Sequence, residues 1–417
     1  MVPTDWNDEA AIVIIGGGVV GCSIAYHCAR EGLSDILLIE RGEIGAATTA
    51  RTAGQVSSGR TDPNMLRMQR HTFNLIPDLE DEVGEPLDFR RVGNLRVGFS
   101  AERAAELAKL EAPLSAEGIP FERLDAPAAR ELCPWLDMSD AGTRLWLPDA
   151  GIIDGTRLAA AYARAARGRG VRIQRGVSVI DVVREGPQVI GVRTASGTVR
   201  AQHVVDAAGA WSAVAARAAG TYAPAAPTRS HYWVTAPHRD GVASQPILSL
   251  PDFKGYTQPF SGGLLVGFSE PASKTFDPFT LPDDVDFAPL FDPEADQEQL
   301  VVQLDPMRSV APSIDEWRFS HHIAGLCTYT PDGKFAIGAF EGLSGFMIAT
   351  GCSGAGVAAS GGIGRLIAEL LAGQAPFVDP HPFRPDRFGT VDPASEAFRA
   401  ACSAARAGKW SGAVSPR

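Results

Sequence analysis

Hydrophobic residues fill positions 11–15 without a break, the pattern of a strand covered on both faces. Glycines follow at 16–18 and 21, and apolar positions then recur at helical spacing through Cys22, Ala25, Tyr26 and Ala29. A second run, DILLIE, predicts another strand ending on Glu40, so the chain opens with a βαβ unit. Charged helical segments such as SAERAAELAKLEAPL occupy 63–145, bounded by Gly and Pro. RLAAAYARAARGRGVRI reads as a helix feeding a strand. GVSVIDVV, GVRTASGTV and AQHVVDAAGAWS read as short strands that return to the first unit. Positions 228–270 alternate as antiparallel strands do, and 271–316, rich in Pro and Asp, form a loop-heavy excursion with a short helix. FMIATGCSGAGVAASGGIGRLIAELLAG predicts a strand, a glycine turn and a closing helix, after which an Ala-, Ser- and Gly-rich tail is expected to be loosely held.

Of 417 residues, 45% are hydrophobic and 21% charged, which excludes disordered and collagen-like classes and supplies apolar material for two domains enclosing a cofactor. A net charge of -11 without a basic stripe argues against a nucleic-acid surface. Cys22, Cys28, Cys133, Cys327, Cys352 and Cys402 form no CxxC pair and no metal-type spacing, so they read as reduced thiols in a cytosol. The acidic start MVPTDWNDEA lacks a basic region and a cleavable apolar stretch, and residues 11–29 are too polar to prefer lipid. The expectation is a cytoplasmic protein without nucleic-acid or membrane partners.

Gly16, Gly18 and Gly21 stand in GxGxxG register, and Glu40 closes the second strand at the dinucleotide-binding distance. In that reading Gly16 permits the tight turn, Gly18 lets backbone approach a pyrophosphate, Gly21 lets helix and strand pack, and Glu40 holds ribose hydroxyls. A plain glycine turn with a solvated carboxylate is the alternative.

Four separated stretches carry a wider likeness. IGGGVVGCSIAYHCAREG with LLIERGEIGAATTARTAGQV, then VVDAAGAWS, TYTPDGKFAIG and GFMIATGCSGAGVAASGGIGRLIAEL resemble the FAD-dependent amine and amino-acid oxidoreductases of the D-amino-acid-oxidase fold, the group of glycine oxidase, sarcosine oxidase and dimethylglycine dehydrogenase. HYWVT, GYTQPFSGGLLVG and DDVDFAPLFDPEADQEQL leading to TPDG are most similar to the flavin domain of dimethylglycine and sarcosine dehydrogenases. The resemblance implies an α/β fold: a Rossmann-like FAD-binding domain with an interleaved α+β substrate domain built on an antiparallel sheet. It assigns 1–85, 148–227 and 319–390 to the FAD-binding domain, 86–147 and 228–318 to the substrate domain, and 391–417 to a C-terminal tail. FAD would lie along Gly16, Gly18, Val19, Val20 and Gly21, Glu40 and Arg41, Ala47, Thr48, Thr49, Arg51, Thr52, Ala53, Gly54 and Gln55. Val177, Ala208, Gly209 and Trp211 would border it, and the closing turn Gly351, Ser353, Gly354, Ala355, Gly356 and Val357 would present backbone amides from Ser353 to Val357 to the flavin carbonyl edge.

Departures from the resemblance carry information too. Dimethylglycine-type enzymes bond the flavin to a histidine where this chain has Arg51, and sarcosine oxidases to a cysteine where it has Gly325, which implies noncovalent FAD. Cys327, two residues on, is an alternative attachment point or a small buried hydrophobe. Leu265 replaces the lysine that assists oxygen in sarcosine oxidases, leaving oxygen or an electron-transfer protein as acceptor. The dehydrogenases carry a folate-binding region beyond the flavin domain; without one, a free-standing enzyme releasing formaldehyde is expected.

Tyr256 matches a tyrosine that positions the amine, with a core-facing strand tyrosine as the alternative. Arg60 matches an arginine able to hold a carboxylate at two points, with a structural ion pair as the alternative. His231 stands one residue from a family histidine position, which falls on Ser230, and one step along a strand reverses the facing side. Gln258 replaces an arginine, which removes carboxylate binding through this strand and leaves an unusual or uncharged amine open. His321 and His322 face opposite ways with no third ligand in view, so no metal is assigned. The reading is hydride transfer to flavin from a secondary or tertiary, N-methyl amino-acid-like amine, the imine then being hydrolysed. The alternatives are a deaminating oxidase of glycine or D-amino acids and a partner-dependent flavoprotein subunit for electron relay.

Overall fold

The computed structural model describes residues 8–237 and 245–408; the first seven residues of the acidic start and the last residues of the tail lie outside them. The opening runs pair as expected. Strand Glu9–Ile15 lies between Ile36–Glu40 and Gly197–Asp206, all parallel, in an eight-stranded sheet that continues to Arg172–Arg175 on one side and Leu343–Thr350 on the other. Near-continuous apolar runs suit this position, because helices cover both faces of a parallel sheet. The carboxyl ends of Glu9–Ile15, Ile36–Glu40, Gly197–Asp206 and Leu343–Thr350 therefore open on one edge, where α/β sheets bind ligands.

A second eight-stranded sheet is antiparallel apart from one pairing, Ile247–Leu250 with Asn94–Gly98. Its longest ladder joins Ala226–Thr235 to Phe319–Tyr329 and sets Ser230 opposite Gly325 and His231 opposite Ala324. This bears out the α/β architecture with a mixed second layer. No helix among the described residues is long and apolar enough to cross a membrane.

Four helices, Val19–Arg30, Pro63–Val83, Gly155–Gly168 and Gly356–Leu371, share a core with the first sheet. Pro63–Val83 starts where the Asp62 carboxylate accepts from the Asn64 and Met65 amides, and stops at Gly84 in left-handed conformation. Gly356–Leu371 lies against both Pro63–Val83 and Val19–Arg30. A Cβ on Gly362 would stand 2.3 Å from Met68 Cα, so the two backbones touch and only glycine fits there. In the same core His27 and His71 face each other, Nε2 to Nε2, at 3.2 Å.

The tail after 390 corrects an expectation. Residues Glu396–Ala407 form a helix capped by Ser395, with Cys402 and Arg406 buried. Alanine, which suggested a loose segment, is the strongest helix former, and Phe398, Cys402 and Arg406 fall four apart on one face. That face packs on Ala226 and Tyr329 of the second sheet.

Gly362→Val should destabilise the fold by about 1–3 kcal/mol through overpacking, read as a lower urea midpoint; an unchanged midpoint would show that the helices can separate freely. Burial, then His71, lowers His27 to about 3, and burial, then Arg365, lowers His71 to about 4. Both therefore resist protons that the unfolded chain binds at its ordinary 6.5. Their contribution is complete above that value and fades as pH falls toward 4 and 3. The urea midpoint should drop on acidification below about pH 6.5, and His71→Gln should make that slope shallower; an equal slope in the variant would remove the pair from the account.

Candidate functional site

At the carboxyl edge of the first sheet lies a cavity of 520 Å³, bordered by the glycine turn, the 47–52 segment and the start of Gly356–Leu371. Gly16 has φ +106°, and a Cβ there would meet the Ala207 carbonyl at 2.6 Å; a Cβ on Gly21 would meet the Gly16 carbonyl at 1.9 Å. The turn thus closes tightly at Gly16 and the helix packs down at Gly21, while Gly18 has open space before it except for Thr49 Oγ1 at 3.4 Å.

The Val19 amide donates to Thr49 Oγ1 (3.1 Å), but among the described hydrogen bonds neither the Gly18 nor the Val20 amide has an acceptor. These donors at a helix N-terminus suit a diphosphate. Glu40 borders the cavity with both oxygens already engaged, Oε2 by the Gly17 amide (2.6 Å) and Oε1 by the Gly42 amide (2.7 Å). Its remaining lone pairs can still accept from hydroxyls.

Most residues predicted for FAD border this cavity: Gly16, Gly18, Val19, Val20, Glu40, Arg41, Ala47, Thr48, Thr49, Arg51, Thr52, Val177, Ala208, Gly209, Trp211, Gly354, Gly356 and Val357. Ala53, Gly54, Gln55 and Ala355 border a neighbouring cavity instead, and Gly21, Gly351 and Ser353 border neither. The closing turn supplies fewer amides than expected. Ser353 donates to the Thr328 carbonyl (2.9 Å) and Ala355 to the Cys352 carbonyl (2.8 Å), which leaves the Gly354, Gly356 and Val357 amides without an acceptor among the described bonds.

The 271–316 excursion forms part of the cavity rim. Arg41 lies 3.9 Å over the Trp211 ring and pairs with Asp283, Trp211 Nε1 donates to the Pro282 carbonyl (3.2 Å), and Arg51 Nε donates to Asp286 (3.1 Å). Arg51 also donates to the carbonyls of Ala46 (3.0 Å) and Ala47 (3.2 Å), so it holds the 46–51 turn in shape.

The second cavity, of 210 Å³, opens from the first across Arg51, Thr52, Ser230, Cys327, Gly354 and Val357, which border both. Tyr256, Arg60 and His231 meet here, as do Tyr232, Tyr329, Arg96 and Arg406, which sequence reasoning missed. Burial pushes the phenol of Tyr256 up, and those of Tyr232 and Tyr329 to about 12, so all three stay neutral. Burial lowers Arg60, and burial with the neighbouring Arg60 charge lowers Arg96 to about 10; both remain cations at neutral pH. Arg96 had a sequence signal: in NLRVG it shares a strand face with the polar Asn94.

His231 is lowered to about 2 by burial and by Arg229 and Arg406, and is therefore neutral. Its Nδ1 lies 3.0 Å from His322 Nε2, and His322 Nδ1 lies 3.9 Å from Asp296. The fold thus supplies the third ligand-type group that the sequence did not reveal. Arg229 already fills the cation's place, donating to Asp296 at 2.7 Å and pairing with Glu270, and Arg406 lies 3.3 Å from Glu270. Gln258 borders neither of these two cavities: it donates to the Ala53 carbonyl (2.6 Å), accepts from Gln55 (2.7 Å), and so braces that loop. Leu265 is fully buried beside Tyr232 and Tyr256.

Residues 11–370 match the model of the family described as FAD dependent oxidoreductase. The chain is 31% identical over 373 residues to 4-methylaminobutanoate oxidase (formaldehyde-forming) of Paenarthrobacter nicotinovorans, covering 88% of this chain and 44% of that protein. It is 28% identical to mitochondrial dimethylglycine dehydrogenase of Rattus norvegicus, covering 93% and 46%. The chain thus spans less than half the length of these relatives. L-proline dehydrogenase from P. horikoshii shares the fold at a TM-score of 0.80, with 24% identity over 92% of this chain and 98% of that one. A glycine turn between two parallel strands, free amides at two helix ends and the family match agree: the chain belongs to the FAD dependent oxidoreductases, a family whose cofactor is FAD.

Proposed function

We propose that this protein oxidises a C–N bond of a secondary or tertiary amine of N-methyl amino-acid type, with noncovalent FAD in the outer cavity and the amine in the inner one. The observation that supports this reading is the junction of the two cavities: the one rich in Tyr and Arg opens directly from the one proposed here for the cofactor. The names of the two relatives, one a methylaminobutanoate oxidase and the other a dimethylglycine dehydrogenase, support the substrate class. FAD, when bound, accepts the two electrons and the hydrogen that such an oxidation removes from carbon.

The protein's own part is binding, orientation and charge. The free amides of Gly354, Gly356 and Val357 would stabilise negative charge at the junction. Arg60 would hold the substrate's acidic group, and Tyr256 and Tyr232 would wall the amine. Hydride loss requires a neutral nitrogen. A buried site with two guanidiniums that have no ion-pair partner among the described residues disfavours an ammonium and so lowers the amine's pKa. With carbon oxidised, the nitrogen lone pair closes a C=N bond; water adds to that carbon, and C–N cleavage leaves an aldehyde and the shorter amine. We assign the protein to the cytoplasm, with oxygen or an electron-transfer protein as acceptor.

Anaerobic titration of the flavin-loaded protein with sarcosine, dimethylglycine, 4-methylaminobutanoate, glycine and D-alanine tests this reading. Bleaching of the flavin band by an N-methyl compound is expected; bleaching by glycine or D-alanine alone would transfer the site to deamination. Admitting air then separates the acceptors by whether colour returns. A plot of kcat/KM against pH should rise through one ionisation, that of the amine, because His231 and the tyrosines do not titrate near neutrality. His231→Asn should leave its midpoint in place, and loss of the ionisation in that variant would make His231 the base.

A further inference from the structure

The inner cavity is unbalanced in charge. Among the described residues no Asp or Glu lines it, yet four arginines border it. Two of these are neutralised, Arg51 at the rim by Asp286 and Arg406 behind the wall by Glu270. Arg60 and Arg96 form no ion pair among the described residues, and Arg96 Nε is buried without a hydrogen-bond partner. Asp62 is the acid whose charge reaches Arg60, but its carboxylate is spent on the Asn64 and Met65 amides and lies 3.5 Å from Lys334. The fold makes room for this arrangement: a Cβ on Gly59 would stand 1.8 Å from Arg96 Nη2, so the Arg96 guanidinium lies in the space that a side chain at Gly59 would take, next to Arg60.

Burying two like charges side by side is costly unless a partner arrives to pair with them. The amine itself must be neutral when its hydrogen leaves, so it adds no charge. One carboxylate would leave a buried positive charge over; two would cancel both. We infer that the substrate is an amine carrying two acidic groups, one for Arg60 and one for Arg96, rather than the single carboxylate of sarcosine or dimethylglycine. This rests on the amine-oxidising reading above and narrows it. A second carboxylate and a phosphonate share the required chemistry.

Matched thioethers, which have no C–N bond to oxidise, read binding separately from turnover. (Methylthio)acetate and thiodiacetate differ by one carboxylate, and their dissociation constants follow from perturbation of the flavin spectrum. Thiodiacetate should bind more tightly by roughly 10- to 100-fold, the range of one charge-assisted hydrogen-bonded pair. Arg96→Met and Arg96→Gln should each reduce that ratio to within about threefold of unity. Equal affinity of the two thioethers for the unaltered protein would overturn the inference without any variant, so misfolding of the variants cannot shelter it. N-methylaspartate, iminodiacetate and N-(phosphonomethyl)glycine, compared with sarcosine in anaerobic flavin reduction, then separate carboxylate from phosphonate. Tight thiodiacetate binding with no reduction by any amine would leave the two-anion site standing and refute amine oxidation instead.

Discussion

Direct backbone contact between helices governs how this molecule is assembled. A Cβ on Gly364 would lie 2.4 Å from Ser23 Oγ, and one on Gly362 would lie 2.3 Å from Met68 Cα. With only the small Ser23 side chain between them, its Oγ donating to the Ser360 carbonyl at 2.8 Å, Val19–Arg30 and Gly356–Leu371 lie close together, and their N-termini border the same cavity. Amides at each end have no acceptor among the described hydrogen bonds. The contact therefore converts two separate glycine-rich segments into one anion-favouring chamber, with partial positive charge at both ends. Fixed backbone dipoles need no reorganisation when charge develops before them.

Where the acids lie explains the character of the inner cavity. Asp283 and Asp286 are spent on the rim, holding Arg41 and Arg51. Glu270 and Asp296 are spent behind the wall, holding Arg229 and Arg406 and leaving the imidazoles of His231 and His322 as neutral fill. Overall acidity of -11 thus coexists with a cationic pocket. Net charge describes the surface; burial and pairing decide what a cavity feels.

Two segments that look like accessories in one dimension complete the enclosure. The Pro- and Asp-rich excursion reaches the rim of the cofactor cavity through Pro282, Asp283 and Asp286. The C-terminal helix delivers Arg406, which donates to Ser230 Oγ at 3.2 Å and Ser273 Oγ at 2.6 Å and so fixes the end of the inner cavity. Arg406 lies beyond the 11–370 region that defines the family match.

The sequence by itself determined the βαβ start, the βα closing unit and the glycine turn, because each is a local arrangement written in adjacent residues: period, turn chemistry and GxGxxG spacing need no distant partner. It also brought Tyr256 and Arg60 into view, through likeness to a family. Tertiary structure alone decided which amides of the closing turn remain free, since Thr328, on another strand, takes the Ser353 donor. It alone decided that Gln258 braces a loop, that Asp296 joins His231 and His322, and that Arg96 borders one cavity with Arg60 and with no acid among the described lining residues. Each of these depends on residues tens to hundreds of positions apart, brought together by strand register and helix packing. Charge balance in a cavity is a property of the assembled wall, and no window along the chain contains it.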